Sequence, residues 1–180
     1  MNNNNVVVSF FIEGQEHLRF VESYIHIIKD LGYQTKVTSL EKLEFHRKIP
    51  DLKIEILMKD KLREYFKNLS SDWLFTTTPG VGSYYFPKSK KSFKNNGTQY
   101  VYLFHSLVSP NEIYIKNSFK KFDFIFSPNE IITQQLKFVT SKNTKIYTLG
   151  YPVLNYYKEV STPNKIPTIL IAPSWGKDSF

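Results

Sequence analysis

The sequence predicts an α/β protein built on a Rossmann-like parallel sheet flanked by helices. Three observations carry that expectation. Short apolar runs rich in β-branched and aromatic residues recur along the chain, as in strands buried on both faces. Helical patterns separate several of them, and glycine or proline punctuates the joints. The first strand, a helix, a glycine and a second strand fit within about thirty residues, the size of a βαβ unit, and such units imply parallel neighbours.

Each element has its own reason. Val6 to Ile12 is a continuous β-branched and aromatic run, predicted as a buried strand. After Gly14, the apolar residues Leu18, Val21, Ile25, Ile28 and Leu31 recur at spacings of three and four, which sets one stripe on one helix face. Gly32 stands where a helix C-terminal cap belongs, and Tyr33 to Val37 resumes as a strand. Lys53 to Leu57 reads as a short strand, Lys59 to Leu69 as an amphipathic helix, and Trp73 to Thr78 as a strand running into the Pro79-Gly80 turn. Further strands are predicted at Tyr100 to Phe104, Phe122 to Phe126 and Lys145 to Leu149, with a helix over Asn129 to Val139 that has Pro128 at its start. Pro167 to Ala172 is one more apolar strand, and Pro163 to Pro167 is a polar, proline-rich linker before it. The expected division is one domain over 1–162, followed by a linker and the first strand of an incomplete second domain over 163–180.

Composition narrows the function classes. The 180 residues include 12 Tyr and 15 Phe, enough aromatic mass for a well-packed core. There is no cysteine, which excludes disulfides and thiolate metal sites. Val6 to Ile12 is too short to span a bilayer and has no basic residues before it, so it reads as a strand and not as a signal peptide. A cytoplasmic location is the expectation. The net charge is +8, but the lysines are scattered apart from a cluster over Lys88 to Lys94. That distribution, with no nucleic-acid-binding motif, argues against a nucleic-acid partner.

Ligands of open parallel sheets bind at the carboxyl ends of the strands. Four places qualify: Glu13-Gly14, Thr76 to Gly82, His105 to Pro110, and Gly150 to Pro152. Glu13-Gly14-Gln15 lacks the glycine spacing of a dinucleotide fingerprint. His105 is the most informative titratable residue, because imidazole titrates near neutrality and suits proton removal from an alcohol. A histidine bonded to a neighbouring loop is the competing reading on position alone. His17, His26 and His46 read as helix-surface residues without metal-ligand spacing. Ser106 lies beside His105, but adjacent residues of an extended strand point to opposite faces, and no Gly-x-Ser-x-Gly elbow exists, so a serine hydrolase is not expected. The Thr76 to Gly80 and Gly150 to Pro152 segments read first as turn chemistry, compatible with lining a pocket.

In order, Thr76-Thr-Thr-Pro-Gly80, Tyr100-Val-Tyr-Leu-Phe-His-Ser-Leu-Val-Ser109, Phe122-Asp-Phe-Ile-Phe-Ser127, Gly150-Tyr-Pro152 and Ile169-Leu-Ile-Ala-Pro-Ser-Trp-Gly176 form a series. It resembles the bacterial CDP-glycerol glycerophosphotransferases, the group of teichoic-acid glycerol-phosphate primases and polymerases. The resemblance is clearest from Asp72 to Gly176. It departs at Ser106, where the family commonly has Gly followed shortly by Lys, and at Asn155, where Asp is common.

The resemblance implies a GT-B architecture, with this chain as its N-terminal, acceptor-side half, truncated at the start of the donor-binding domain. It implies His105 as the catalytic base, substrate contacts from Thr77, Thr78, Gly80, Ser106 and Ser109, and donor-nucleotide contacts from Ser174, Trp175 and Gly176. It implies a CDP-activated donor such as CDP-glycerol, a polyol-phosphate or glycan acceptor, no metal and no cofactor. Work at the inner face of the membrane, by peripheral association, fits the same resemblance. Three alternatives stay open: a GT-B sugar transferase, a UDP-sugar epimerase-like protein, and a non-catalytic half-domain that binds an acceptor. Half a cleft is expected to be inactive alone, since phosphoryl transfer depends on positioning and charge stabilisation.

Overall fold

A computed structural model describes residues 6–80, 97–114 and 117–154. Among these, β1 (Val7–Ile12), β2 (Gln34–Ser39), β3 (Ile54–Ile56), β4 (Trp73–Thr76), β5 (Gln99–Leu103), β6 (Phe124–Ser127) and β7 (Lys145–Thr148) form one sheet. Its order is β3-β2-β1-β4-β5-β6-β7, and every neighbouring pair is parallel. The chain thus builds outward from β1 on one side, then returns to add β4 on the other. This α/β, Rossmann-like arrangement places its topological switch point between β1 and β4.

Alternation along the central strands divides the core into two layers. Val8, Phe10 and Ile12 of β1, with Val101 and Leu103 of β5, pack with α1 (Gln15–Asp30) through Leu18, Val21 and Ile25. Phe11, Leu74, Tyr100 and Tyr102 point the other way, into a layer that holds Leu62 and Phe66 of α2 (Leu62–Lys67) and Ile132 and Leu136 of α4 (Glu130–Val139). Each such side chain contributes about 1.5–3 kcal/mol by leaving water. β1 and β5 are apolar on both sides because both sides are covered.

The ends of the elements follow from local chemistry. At the close of α1, Gly32 takes φ +81°, its N–H donates to the Lys29 carbonyl, and the Tyr33 N–H donates to the Ile28 carbonyl. That pair of bonds is a Schellman cap, as Gly32 foretold. α4 starts one residue later than the pattern predicts, because the Asn129 side chain accepts from the Ile132 N–H at 2.9 Å and so serves as its N-cap. Lys59 to Leu69 is not one helix: a 3-10 turn over Lys59–Lys61 precedes the short α2. β6 starts at Phe124 because Asp123 is engaged sideways. Its carboxylate accepts from the Tyr100 N–H at 2.8 Å, while its own N–H donates to the Tyr100 carbonyl. Asp72 does the same for Val7. A further short helix, α3 (Pro110–Ile113), forms in the segment read only as turn-rich.

The predicted linker over Pro163 to Pro167, the strand over Pro167 to Ala172, the Lys88 to Lys94 cluster and the expected domain boundary lie outside the described residues. Among the described residues, no helix is long and apolar enough to cross a membrane.

Candidate functional site

The carboxyl ends of β1, β4 and β5 bring together residues far apart in the chain. His105 lies two residues past β5 and continues the Val101, Leu103 side of that strand, which faces α1. Its ring sits edge-on to His17 of α1, centroids 5.3 Å apart and planes at 79°. Phe20, one turn further along α1, covers it with a centroid distance of 5.0 Å. Thr77, just past β4, shares a hydrogen bond of 3.1 Å between its Oγ1 and His17 Nδ1. Glu13 closes the group at the end of β1, near enough to act on the His105 imidazole.

His17 is therefore no ordinary helix-surface residue, and that expectation is corrected. Its side chain is 22% exposed, against 68% for the neighbouring Glu16. The signal was present in the sequence: His17, Phe20, Val21 and Tyr24 follow the same three-and-four spacing as the core stripe. His46 is exposed but lies in a loop, and His26 is half-buried on α1.

The remaining predicted residues fall into place around this group. Thr78 is buried; its N–H donates to Thr76 Oγ1 at 3.0 Å, and its own hydroxyl has no partner among the described residues. Gly80 takes φ +62°, a left-handed conformation that favours glycine, and its N–H donates to the Ser118 carbonyl at 2.7 Å. Ser106 Oγ accepts from the Val108 N–H at 3.1 Å, so it shapes the turn after His105. Ser109 precedes α3 at the N-cap position without a side-chain bond to it. Tyr151, in the Gly150 to Pro152 segment, donates its hydroxyl to the His105 carbonyl at 3.0 Å and so braces the backbone there. Ser174, Trp175 and Gly176 lie outside the described residues.

The corner between β1 and α1 is occupied by acid. The Gln15 N–H donates to Glu41 Oε1 at 2.7 Å, which caps the helix from a distant segment. A Cβ added at Gly14 would lie 2.7 Å from the Glu16 carboxylate and 2.9 Å from that of Glu41. A helix N-terminus ordinarily attracts phosphate, but here a carboxylate already takes the free N–H and repels a second anion.

Burial, and then the neighbouring His17, push the His105 imidazole down from 6.5 to about 4. The Leu103 carbonyl and Glu13 act the other way, and Arg19 adds a little to the depression. The Leu103 carbonyl does not close a hydrogen bond to the buried Nδ1, which has no partner among the described residues. His105 is thus a neutral imidazole at pH 7, with a lone pair to offer.

A stability prediction follows. Between about pH 6.5 and 4 the unfolded chain binds a proton on His105 that the folded chain refuses. The contribution is complete above pH 6.5 and lost as pH falls through that window, by about 2–3 kcal/mol. Urea unfolding at about pH 7.5 and about pH 4.5 should show this loss, and His105→Asn should remove most of it. An equal acid loss in both proteins would refute the assignment.

The void against His105 is only about 10 Å³, hardly room for a single water. Fold and position together define the class: a Rossmann-like α/β protein with a histidine-centred cluster at the switch point of its sheet. Compared with known proteins, the chain matches no family model and no curated sequence.

Proposed function

We propose that this chain is the acceptor-side half of a CDP-glycerol glycerophosphotransferase-like enzyme, and that His105 is its general base. One observation carries the reading. A neutral imidazole stands at the carboxyl end of β5, beside the switch point, with a buried Nδ1 that has no partner among the described residues. Buried polar atoms are nearly always bonded, so the unmet Nδ1 of His105 supports a role in which a further group comes to it.

In the proposed step, His105 takes the proton from an acceptor hydroxyl as that oxygen attacks the β-phosphorus of CDP-glycerol. The new P–O bond forms as the bond to the bridging oxygen breaks, and CMP leaves with that electron pair. An imidazole of pKa about 4 is a weak base, but an incoming phosphate anion raises it towards neutrality, where general-base catalysis is effective. In this reading a donor-binding domain supplies the other wall of the cleft. Polyol-phosphate transfer in cell-surface polymer synthesis, at the inner face of the membrane, belongs to the same reading.

The test is acceptor-dependent nucleotide release by a two-domain form that carries a donor-binding domain. CMP release from CDP-glycerol with a polyol-phosphate acceptor is the expected result. UDP release from a UDP-sugar instead would replace this reading with a sugar transferase. No release from either donor, with acceptor still bound, would reduce the chain to a binding half-domain.

A further inference from the structure

A second feature lies on the other side of the sheet and owes nothing to the proposed function. Beneath α2 opens a cleft of about 610 Å³. Where a Rossmann-like sheet usually shows aliphatic residues to its helices, this patch shows Ser9 of β1, Lys36 and Thr38 of β2, and Ser71 just before β4. These positions alternate with Phe10 and Val37, which pack under α1, so the polar side chains face the cleft by the period of the strand.

The hydroxyls have hydrogens to give. Ser9 and Ser71 are both buried and share one hydrogen bond between their Oγ atoms. Two hydroxyls own two hydrogens, and one bond uses one of them, so the pair retains a donor. The Tyr65 hydroxyl is also buried, near enough to Thr38 and Glu55 to feel both, and among the described residues it closes no hydrogen bond of good geometry. Burying polar groups in this way is costly unless an acceptor meets them.

Charge of both signs lines the cleft: Glu55 and Glu64 stand in it with Lys36, Lys53 and Lys61, and Lys61 pairs with Glu64. In the parallel register Val37 stands opposite Ile54, so Lys36 and Lys53 are neighbours across β2 and the start of β3. Both line the cleft, and among the described residues neither is ion-paired. Like charges side by side on a sheet repel. An anion between them removes that repulsion and gains charge-assisted hydrogen bonds.

We infer that this cleft binds a small phosphorylated polyol or sugar, with its phosphate on Lys36 and Lys53 and its hydroxyls on the Ser9, Ser71 and Tyr65 group. The experiment titrates the 180-residue chain with sn-glycerol 3-phosphate, followed by calorimetry and amide chemical shifts. Glycerol and inorganic phosphate are titrated in parallel. Saturable binding of glycerol 3-phosphate is expected, tighter than either parallel probe. The surface double variant Lys36→Gln/Lys53→Gln should weaken it by about tenfold or more, and Lys137→Gln, an exposed lysine of α4 outside the cleft, should leave it unchanged. Absence of saturation, or equal affinity in the lysine variant, overturns the site. An equal loss in Lys137→Gln makes the effect one of net charge alone and likewise overturns it. Equal binding of inorganic phosphate overturns the polyol part of the ligand class.

Discussion

His105→Ala should lower CMP release from CDP-glycerol by about 10²–10⁴-fold in a form carrying both domains, the range for loss of a positioned general base. The loss should fall on kcat with little change in KM, since a base acts in the transition state and contributes little to ground-state binding. The pH profile separates a base from a structural residue. In kcat/KM the acid limb reports free protein and should lie low, in keeping with a pKa of about 4. In kcat it reports the substrate complex and should move up, because the substrate phosphates favour the imidazolium. Retained turnover in the variant, or a profile identical to wild type, would end the assignment. Circular dichroism at pH 7 should show the fold intact, because the ring lies past the end of β5, at the edge of the core.

Tyr102→Ala should cost about 3–5 kcal/mol of stability, the largest loss expected from a single truncation in the described core. Its ring is fully buried and lies 5.0 Å from Phe122, 5.2 Å from Phe119 and 6.0 Å from Phe104. Its hydroxyl donates to that of Tyr114 at 3.2 Å, and burial pushes both phenols above their ordinary pKa, so they remain neutral donors at any physiological pH. Alanine leaves a large cavity and strips Tyr114 of its partner. Tyr102→Phe removes only the hydroxyl and should cost about 1 kcal/mol. Urea unfolding of the three proteins makes the comparison. A loss below about 1 kcal/mol in Tyr102→Ala would mean that the aromatic layer collapses to fill the space. Because Tyr102 also underlies the His105 ring, at 6.3 Å, the same variant should disturb the site indirectly.

Much of the fold was legible because its signals are local. The Val6 to Ile12 run, the three-and-four spacing of α1 and the glycine after it describe β1, α1 and β2 with errors of a residue or two. Boundaries were less legible wherever a distant group decided them. Asp123 reads as part of a strand until its carboxylate is seen to hold the Tyr100 N–H of the next strand. The N-terminus of α1 shows no capping side chain in its own sequence, because Glu41 supplies one from beyond β2. α3 is only four residues long, too short for periodicity to reveal.

The candidate site divides along the same line. His105 and the threonines past β4 could be picked out as strand-end residues, since a strand and its exit are one-dimensional patterns. His17 could not be joined to them, because it is separated from Thr77 by 60 residues and meets it only through the sheet order. By itself, the sequence determined the seven strands and the helices α1 and α4 among the described residues, that the sheet is parallel, and which titratable residue stands at a strand's end. The tertiary structure alone decided that β4 returns beside β1. That choice sets Glu13, His17, Thr77 and His105 around one crevice and lays polar strand faces under α2. Such choices depend on how separate apolar faces pair in space, and no local spacing encodes that pairing.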